Sequence, residues 1–341
     1  MRPDMPSPAV ADQPLISIEN LSVQFTRAGK QMRAVQDVSL HVAPGETLGL
    51  VGESGSGKTT IGRALLRLLP EANTQWQGSI RYQGTDLAGL SKTDMRRMRG
   101  RLQMIFQDPV SSFNPRRKIE DIVAEGLEIQ GIERSERKLR MEAALRDVGF
   151  SLADVAGRRP HQFSGGQCQR IAIARALAVQ PELIVCDEPV ASLDVSVQAH
   201  IINLLQDIRE ARRLTMIFIS HDLAVVKNVS DKVAVLYMGK VVEVGTGEQV
   251  YSRPAHPYTR TLLEAVPVVD ASRKIKPAAE RMVMPSRNRP PEGCAFRLRC
   301  PRAADRCAKE EPVLGVGPGG QSVACHFPHD EPAPNLVSES A

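Results

Sequence analysis

Residues 52–59, Gly-Glu-Ser-Gly-Ser-Gly-Lys-Thr, fit the pattern G-x-x-x-x-G-K-[ST], a loop built to grip the phosphates of a nucleoside triphosphate. Its glycines let backbone N–H groups turn inward on the phosphates, Lys58 reaches the β and γ oxygens, and the Thr59 hydroxyl can bind Mg²⁺. Asp187 and Glu188 end the apolar run Leu183-Ile-Val-Cys186. One carboxylate can hold the cation there, and its neighbour can polarise water. Ser164-Gly165-Gly166-Gln167 opens a helical pattern and offers a second anion-binding helix N-terminus. Gln107 ends the strand-like Leu102-Gln-Met-Ile-Phe106, and His221 follows the apolar run Thr215-Met-Ile-Phe-Ile219.

The elements that must position these groups read as an α/β core. Glu46 to Val51 is a short apolar run after the turn signal Pro44-Gly45, as a buried parallel strand should be. Ile61, Leu65, Leu68 and Leu69 recur at helical spacing, predicting a helix that starts at Lys58 and is stopped by Pro70. Alternation at Ile16/Ile18, Leu21/Val23/Phe25 and Val38/Leu40/Val42 predicts half-buried antiparallel strands ahead of the loop. Residues 120–180 read mainly as helix. Val197, Ile201, Leu204, Leu205 and Ile208 mark an amphipathic helix that Asp194 or Ser196 is placed to cap. Two buried strands, Leu183–Cys186 and Thr215–Ile219, a short helix after Asp222, and strands flanking a turn at Gly239 complete the alternation. Beyond about residue 250 proline becomes frequent and periodicity fades. Short strands alternating with helices imply a parallel sheet with ligands at the strand C-termini.

The bulk properties agree with a globular nucleotide-binding protein. The 341 residues are 42% hydrophobic and 24% charged, enough for one large domain and a smaller appendage. A net charge of +5 demands neither nucleic acid nor membrane, and the clusters at Arg96–Arg101 and Arg116–Lys118 read as solvated faces. With only 4% aromatic residues there are few platforms for stacking bases, so no nucleic-acid partner is expected. No apolar stretch approaches the roughly 18–20 residues needed to span a bilayer, and the first residues lack an apolar signal region, so a soluble, unexported chain is expected. Residues 1–14, rich in proline and small side chains, are expected to be a disordered lead-in. Six cysteines in such a chain are not expected to form structural disulfides, yet four fall within residues 294–325.

In order and spacing the motifs resemble the ATPase subunit of an ATP-binding cassette (ABC) transporter over about residues 16–250. The resemblance implies a P-loop NTPase core with a parallel sheet, an N-terminal antiparallel β subdomain and an inserted helical subdomain at about 108–180, all within a nucleotide-binding domain at 15–250. It implies ATP and Mg²⁺ as ligands, with Gly52, Glu53, Ser54, Gly55, Ser56, Gly57, Lys58, Thr59 and Thr60 as the phosphate loop. Thr59, Gln107 and Asp187 would serve Mg²⁺, and Gln107 would also face the membrane subunits. Glu188 would be the general base and His221 the γ-phosphate switch, while Ser164, Gly165, Gly166 and Gln167 would form the signature that meets ATP held by the opposite subunit. Ser192-Leu193-Asp194 would cross the dimer, and Phe25 sits where the family places an aromatic ring against adenine; a core phenylalanine is as good a reading. Two departures, Phe163 in place of leucine and Cys168 in place of arginine or glutamine, remove no phosphate ligand.

Residues 252–267, containing His256-Pro-Tyr258, look like the segment that follows the core in oligopeptide and dipeptide permease ATPases, as do Asp108-Pro109, Ser112-Phe-Asn-Pro115 and Ala191–Ser196. Membership of this peptide/nickel-type branch implies a second, related or identical ATPase chain, two transmembrane permeases and an external substrate-binding protein. The chain would then sit peripherally on the cytoplasmic membrane face and couple hydrolysis to import of a peptide-like substrate. A nickel chelate or glutathione as cargo, and a soluble ABC ATPase acting on ribosomes or DNA, are the alternatives. One phosphate loop and one signature, with no internal repeat, require a dimer to complete each site. In the extension at 251–341, Cys294, Cys300, Cys307 and Cys325 are separated by five, six and seventeen residues. Four thiolates can ligate a [4Fe–4S] cluster or Zn²⁺ and staple a segment too short to build a core, or they can be free thiols. The branch resemblance points to the cluster.

Overall fold

The computed structural model describes residues 13–27, 29–191, 193–265 and 292–332. The expected lead-in at 1–14 therefore falls almost wholly outside the described residues, as do Ser192 and the segment 266–291.

In chain order, β1 (Ile16–Arg27), β2 (Lys30–Val42) and β3 (Thr47–Val51) lead into α1 (Lys58–Leu65), followed by β4 (Thr74–Tyr82), β5 (Thr85–Asp86), α2 (Lys92–Met98) and β6 (Leu102–Ile105). A helical section follows: α3 (Ile119–Ile129), α4 (Arg134–Asp147), α5 (Leu152–Val155) and α6 (Gly165–Ala178). The chain returns through β7 (Leu183–Asp187), α7 (Val195–Arg212), β8 (Thr215–Ser220), α8 (Leu223–Val229), β9 (Lys232–Tyr237) and β10 (Lys240–Thr246). Then come α9 (Gly247–Ser252), α10 (Pro257–Glu264), α11 (Asp305–Lys309) and a hairpin of β11 (Gly315–Val316) and β12 (Ser322–Val323).

Two sheets result. The antiparallel one has the order β2-β1-β4-β5, and the larger has the order β11-β12-β10-β9-β3-β8-β7-β6. Strands β9, β3, β8, β7 and β6 are parallel, and β10, β12 and β11 continue the sheet antiparallel. Both faces of the central strands are buried, which is why they read as unbroken apolar runs. Along β7, Leu183 and Val185 join the core shared with the antiparallel sheet and α1. Ile184 and Cys186 point the other way, into the core shared with α3, α6 and α7.

Three details depart from the sequence reading. Ile16/Ile18 and Leu21/Val23/Phe25 lie on one strand, not two. A register shift between Glu19 and Ser22 changes the alternating phase, with Asn20 at φ 51°. Helix α1 ends at Leu65, short of Pro70, because Arg67 adopts φ 50°; Leu68 is 39% exposed. The third is at the tail. It is less irregular than its fading periodicity suggests, since β12 pairs with β10 and carries the extension onto the edge of the main sheet.

Candidate active site

The phosphate loop bridges the C-terminal end of β3 and the first turn of α1. Two of its glycines are required by close approach. A Cβ on Gly52, at φ 149°, would lie 2.2 Å from the Leu236 carbonyl oxygen; one on Gly57, at φ 108°, would lie 2.6 Å from that of Ala34. The β9–β10 turn clamps the loop, with Gly239 N donating to Ser56 O at 2.9 Å. Lys58 is 4% exposed, and its Nζ donates to the carbonyls of Gly52 (2.7 Å) and Glu53 (3.1 Å), so the ammonium is folded over the loop. Among the described residues, the buried Ser56 Oγ has no hydrogen-bond partner. An orphaned hydroxyl inside a nest of backbone amides suits an anionic ligand.

Thr59 Oγ1 donates to Asp187 Oδ1 at 2.7 Å, placing the hydroxyl of α1 against the carboxylate that ends β7. Burial holds the Asp187 carboxyl above its ordinary range, against the opposing pull of Thr59, Arg63 and Lys58. A buried carboxylate beside a hydroxyl is a hard oxygen pair of the kind Mg²⁺ uses, together with phosphate oxygens and water. These residues fit the cation.

Gln107, Glu188 and His221 converge. Gln107 Nε2 donates to Glu188 Oε2 at 3.1 Å, and His221 Nδ1 lies 3.3 Å from the same oxygen. Glu188 holds φ 47°, unusual for a non-glycine residue, and its N–H donates to the Ile219 carbonyl at 3.0 Å. The left-handed kink at the end of β7 turns the carboxylate toward the ends of β6 and β8, where Gln107 and His221 stand.

The signature residues lie on a different element. Ser164 caps α6 in a capping box, with Gln167 N donating to Ser164 Oγ at 3.3 Å and Ser164 N to Gln167 Oε1 at 2.9 Å. Gly165 faces Leu193, and Gly166 packs on Val197, where a Cβ would come within 2.6 Å of Cγ1. Of the two candidate caps for α7, Asp194 takes the role: its Oδ1 accepts from Val197 N at 3.0 Å, and that bond, with one from Ser196, holds its carboxyl below the usual range. Phe25 is half-buried near the end of β1, opposite Met32 and Thr74. Cys168 is buried at 1% exposure against the Pro160 carbonyl, and burial raises its thiol pKa.

The four late cysteines lie near one another in the extension without forming a ligand set. Cys294 N donates to Cys307 O at 2.8 Å. Burial pushes the Cys325 thiol up to about 11, with the proximity of Cys300, Cys294 and Cys307 adding to the effect. All six cysteines of the chain are free thiols. The expected metal site is not supported: among the described residues, no group of three or more His, Cys, Asp or Glu side chains is gathered to hold a metal ion. His326 faces the Glu310 carbonyl at 3.0 Å.

Two contacts to the phosphate loop have no sequence signal. Glu53 N donates to the Tyr258 hydroxyl at 2.9 Å, and the Glu53 carboxylate accepts two bonds from Arg299, at 2.7 and 3.0 Å. Tyr258 belongs to the His-Pro-Tyr segment and Arg299 precedes Cys300, so both sit in motifs singled out for other reasons. Partners 205 and 246 residues apart leave no local pattern to find.

Comparison with known proteins shows the family. Residues 35–191 match the ABC transporter family, and residues 242–307 match the C-terminal region of oligopeptide/dipeptide transporters. A putative peptide import ATP-binding protein of Brucella ovis is 48% identical over 93% of this chain and 98% of its own length. The oligopeptide transport ATP-binding protein OppF of Escherichia coli is 46% identical over 91% of this chain and 95% of its own. Among solved structures, a dimeric ATP-binding cassette, MJ0796, bound to ADP and Pi in a post-hydrolysis state, is 25% identical, with a TM-score of 0.60 over 68% of this chain and 98% of that one. Clostridium perfringens cbiO1, part of the ABC transporter complex cbiONQ, shares the fold at a TM-score of 0.61 and 24% identity, covering 70% of this chain and 91% of that one. This chain belongs to the ATP-binding subunits of ABC transporters, in the branch that carries the oligopeptide/dipeptide transporter C-terminal region.

Proposed function

We propose that this chain hydrolyses ATP to drive import of a peptide-like substrate, seated peripherally on the inner face of the membrane beside two permease subunits and a second ATPase chain. The observation that carries the hydrolytic half is the convergence of Gln107 and His221 on one oxygen of Glu188, next to the Thr59–Asp187 pair. The transport half is supported by relatives named for peptide import and oligopeptide transport. Among the described residues no helix is long and apolar enough to cross a membrane, in keeping with permeases supplied by other chains.

ATP with Mg²⁺ supplies the phosphoryl group and the cation that offsets its charge. The loop amides of Gly52–Thr60 and the Lys58 ammonium bind the phosphates. Thr59 and Asp187 would hold the cation, with Gln107 as a further ligand. Glu188 takes the proton of the attacking water on the carboxylate oxygen that Gln107 and His221 now occupy, while those two side chains orient it and register the γ-phosphate. Ser164, Gly165, Gly166 and Gln167 approach that phosphate from the partner subunit, across the loop containing Asp194, and Phe25 lies against the adenine. Binding closes the pair and loss of the γ-phosphate reopens it.

A structural [4Fe–4S] cluster on the four cysteines is proposed from their number and spacing in the sequence alone, the described residues showing no gathered ligand set. Anaerobic purification should give a brown protein with iron and acid-labile sulfide and absorbance near about 400 nm; colourless, iron-free protein defeats this. For the transport proposal, the assembled complex in proteoliposomes with its cognate binding protein should accumulate labelled oligopeptide only when ATP is on this chain's side. ATP-driven accumulation of a nickel chelate or glutathione, with no peptide uptake, would replace the cargo; failure to assemble with permeases would overturn the transport role.

A further inference from the structure

The phosphate loop contains a residue that works against its ligand. Glu53 is an anionic side chain in a loop meant for a polyanion, and like charges in one site disfavour each other. Its carboxylate is bound bidentately by Arg299, with the two side chains only 25% and 19% exposed. The fork geometry fixes the carboxylate in position as well as offsetting its charge. The same residue's N–H is held by the hydroxyl of Tyr258.

Both partners are built into the C-terminal segment. Tyr258 is fully buried, its ring centroid 4.6 Å from that of Tyr237 and 5.4 Å from that of Phe296. The Arg299 guanidinium lies over Tyr237 at 5.8 Å and over Phe296 at 5.6 Å. Tyr258 is placed by its helix start, where its N–H donates to His256 Nδ1 at 3.0 Å. Buried Glu243, on β10 between β9 and β12, accepts from Ala255 N, His256 N and the Thr259 hydroxyl at 2.8, 2.9 and 2.6 Å. A continuous packed path therefore joins the cysteine-bearing extension to the second residue of the loop.

We propose that Arg299 and Tyr258 are positioning residues for the phosphate loop: Arg299 cancels and orients the Glu53 carboxylate and Tyr258 fixes the Glu53 N–H, so that nucleotide affinity depends on the docked C-terminal extension. By linkage, nucleotide must in turn tighten the docking of that extension. The inference rests on the loop holding ATP.

Fluorescent-ATP titration of the full-length chain tests it. Arg299→Ala leaves the Glu53 charge uncompensated and weakens affinity about three- to fivefold, the scale of a partly exposed ion pair. Removing that charge as well, in Glu53→Gln/Arg299→Ala, brings affinity back to within about twofold of wild type, a rescue that mere loss of packing at Arg299 would not allow. Steady-state kinetics should show the Arg299→Ala defect in KM rather than kcat. In hydrogen exchange, ATP should protect the amides of residues 292–310 in wild type and not in Arg299→Ala. Unchanged affinity in Arg299→Ala, a double variant as weak as the single one, or exchange indifferent to ATP in wild type would overturn the inference. Glu53→Gln alone keeps it testable if Arg299→Ala does not fold: affinity should be equal or tighter, and weaker binding would contradict the charge argument. Absence of ATP binding by wild type would instead sink the phosphate-loop reading beneath it.

Discussion

Lys58 shows how much of the site is prepared before nucleotide arrives. Its ammonium is buried and folded onto two carbonyls of its own loop, where it can exchange those partners for phosphate oxygens without leaving the site. Lys58→Ala should therefore weaken nucleotide binding itself, by on the order of a hundredfold for a charged, hydrogen-bonded group in a buried setting. Unchanged affinity in a fluorescent-ATP titration would count against the loop's role. At this scale the sequence was close to sufficient. Lys58, Thr59, Asp187 and Glu188 each sit where a strand or glycine loop ends, and their partners fall where spacing places them. What it could not show was the geometry that couples them, such as Glu188 at φ 47° and the shared oxygen between Gln107 and His221.

The central strands were readable as elements because both faces are buried, and α7 because Ile201, Leu205 and Ile208 repeat on one buried face. The bulge in β1 was hidden by its own signature, a change of alternating phase that looks like two strands. The extension was harder still, because its cohesion comes from polar groups far apart in sequence, such as Glu243 with residues 255–259 and Arg299 with Glu53. No apolar period reports such pairs. His256 illustrates what they imply. Burial, with neighbouring His329, lowers its pKa from 6.5 to about 3, and the neutral ring accepts from Tyr258 N. Because the folded pKa is depressed, the stabilising contribution is full above about pH 6.5. It is lost as pH falls toward 3, since only the unfolded chain takes up the proton. Between pH 6.5 and 5 this amounts to about 2 kcal/mol. Urea unfolding at pH 7.5 and 5.0 should show that loss in wild type and less of it in His256→Asn, whose amide oxygen can still accept from Tyr258 N. Equal losses would assign the pH dependence elsewhere.

At the scale of the whole molecule, the residues proposed to meet the nucleotide fall on different elements. The phosphate loop, the Thr59–Asp187 pair and Glu188 gather at the C-terminal ends of β3, β7 and β8. The signature caps its own helix, α6, and packs against α7. The extension rejoins the main sheet through β12 and reaches the phosphate loop through Tyr258 and Arg299. Glu188 is proposed as the base of a hydrolytic site whose binding machinery stands apart from it. The direct test is Glu188→Gln in the assembled complex, with ATP affinity and steady-state hydrolysis measured on the same preparation. The amide keeps the shape and loses the proton acceptor. ATP affinity should stay within about twofold of wild type while turnover drops by roughly a hundredfold or more, the usual contribution of a general base. Hydrolysis above about 5% of wild type with binding intact would contradict it, because a base worth that factor cannot be dispensed with.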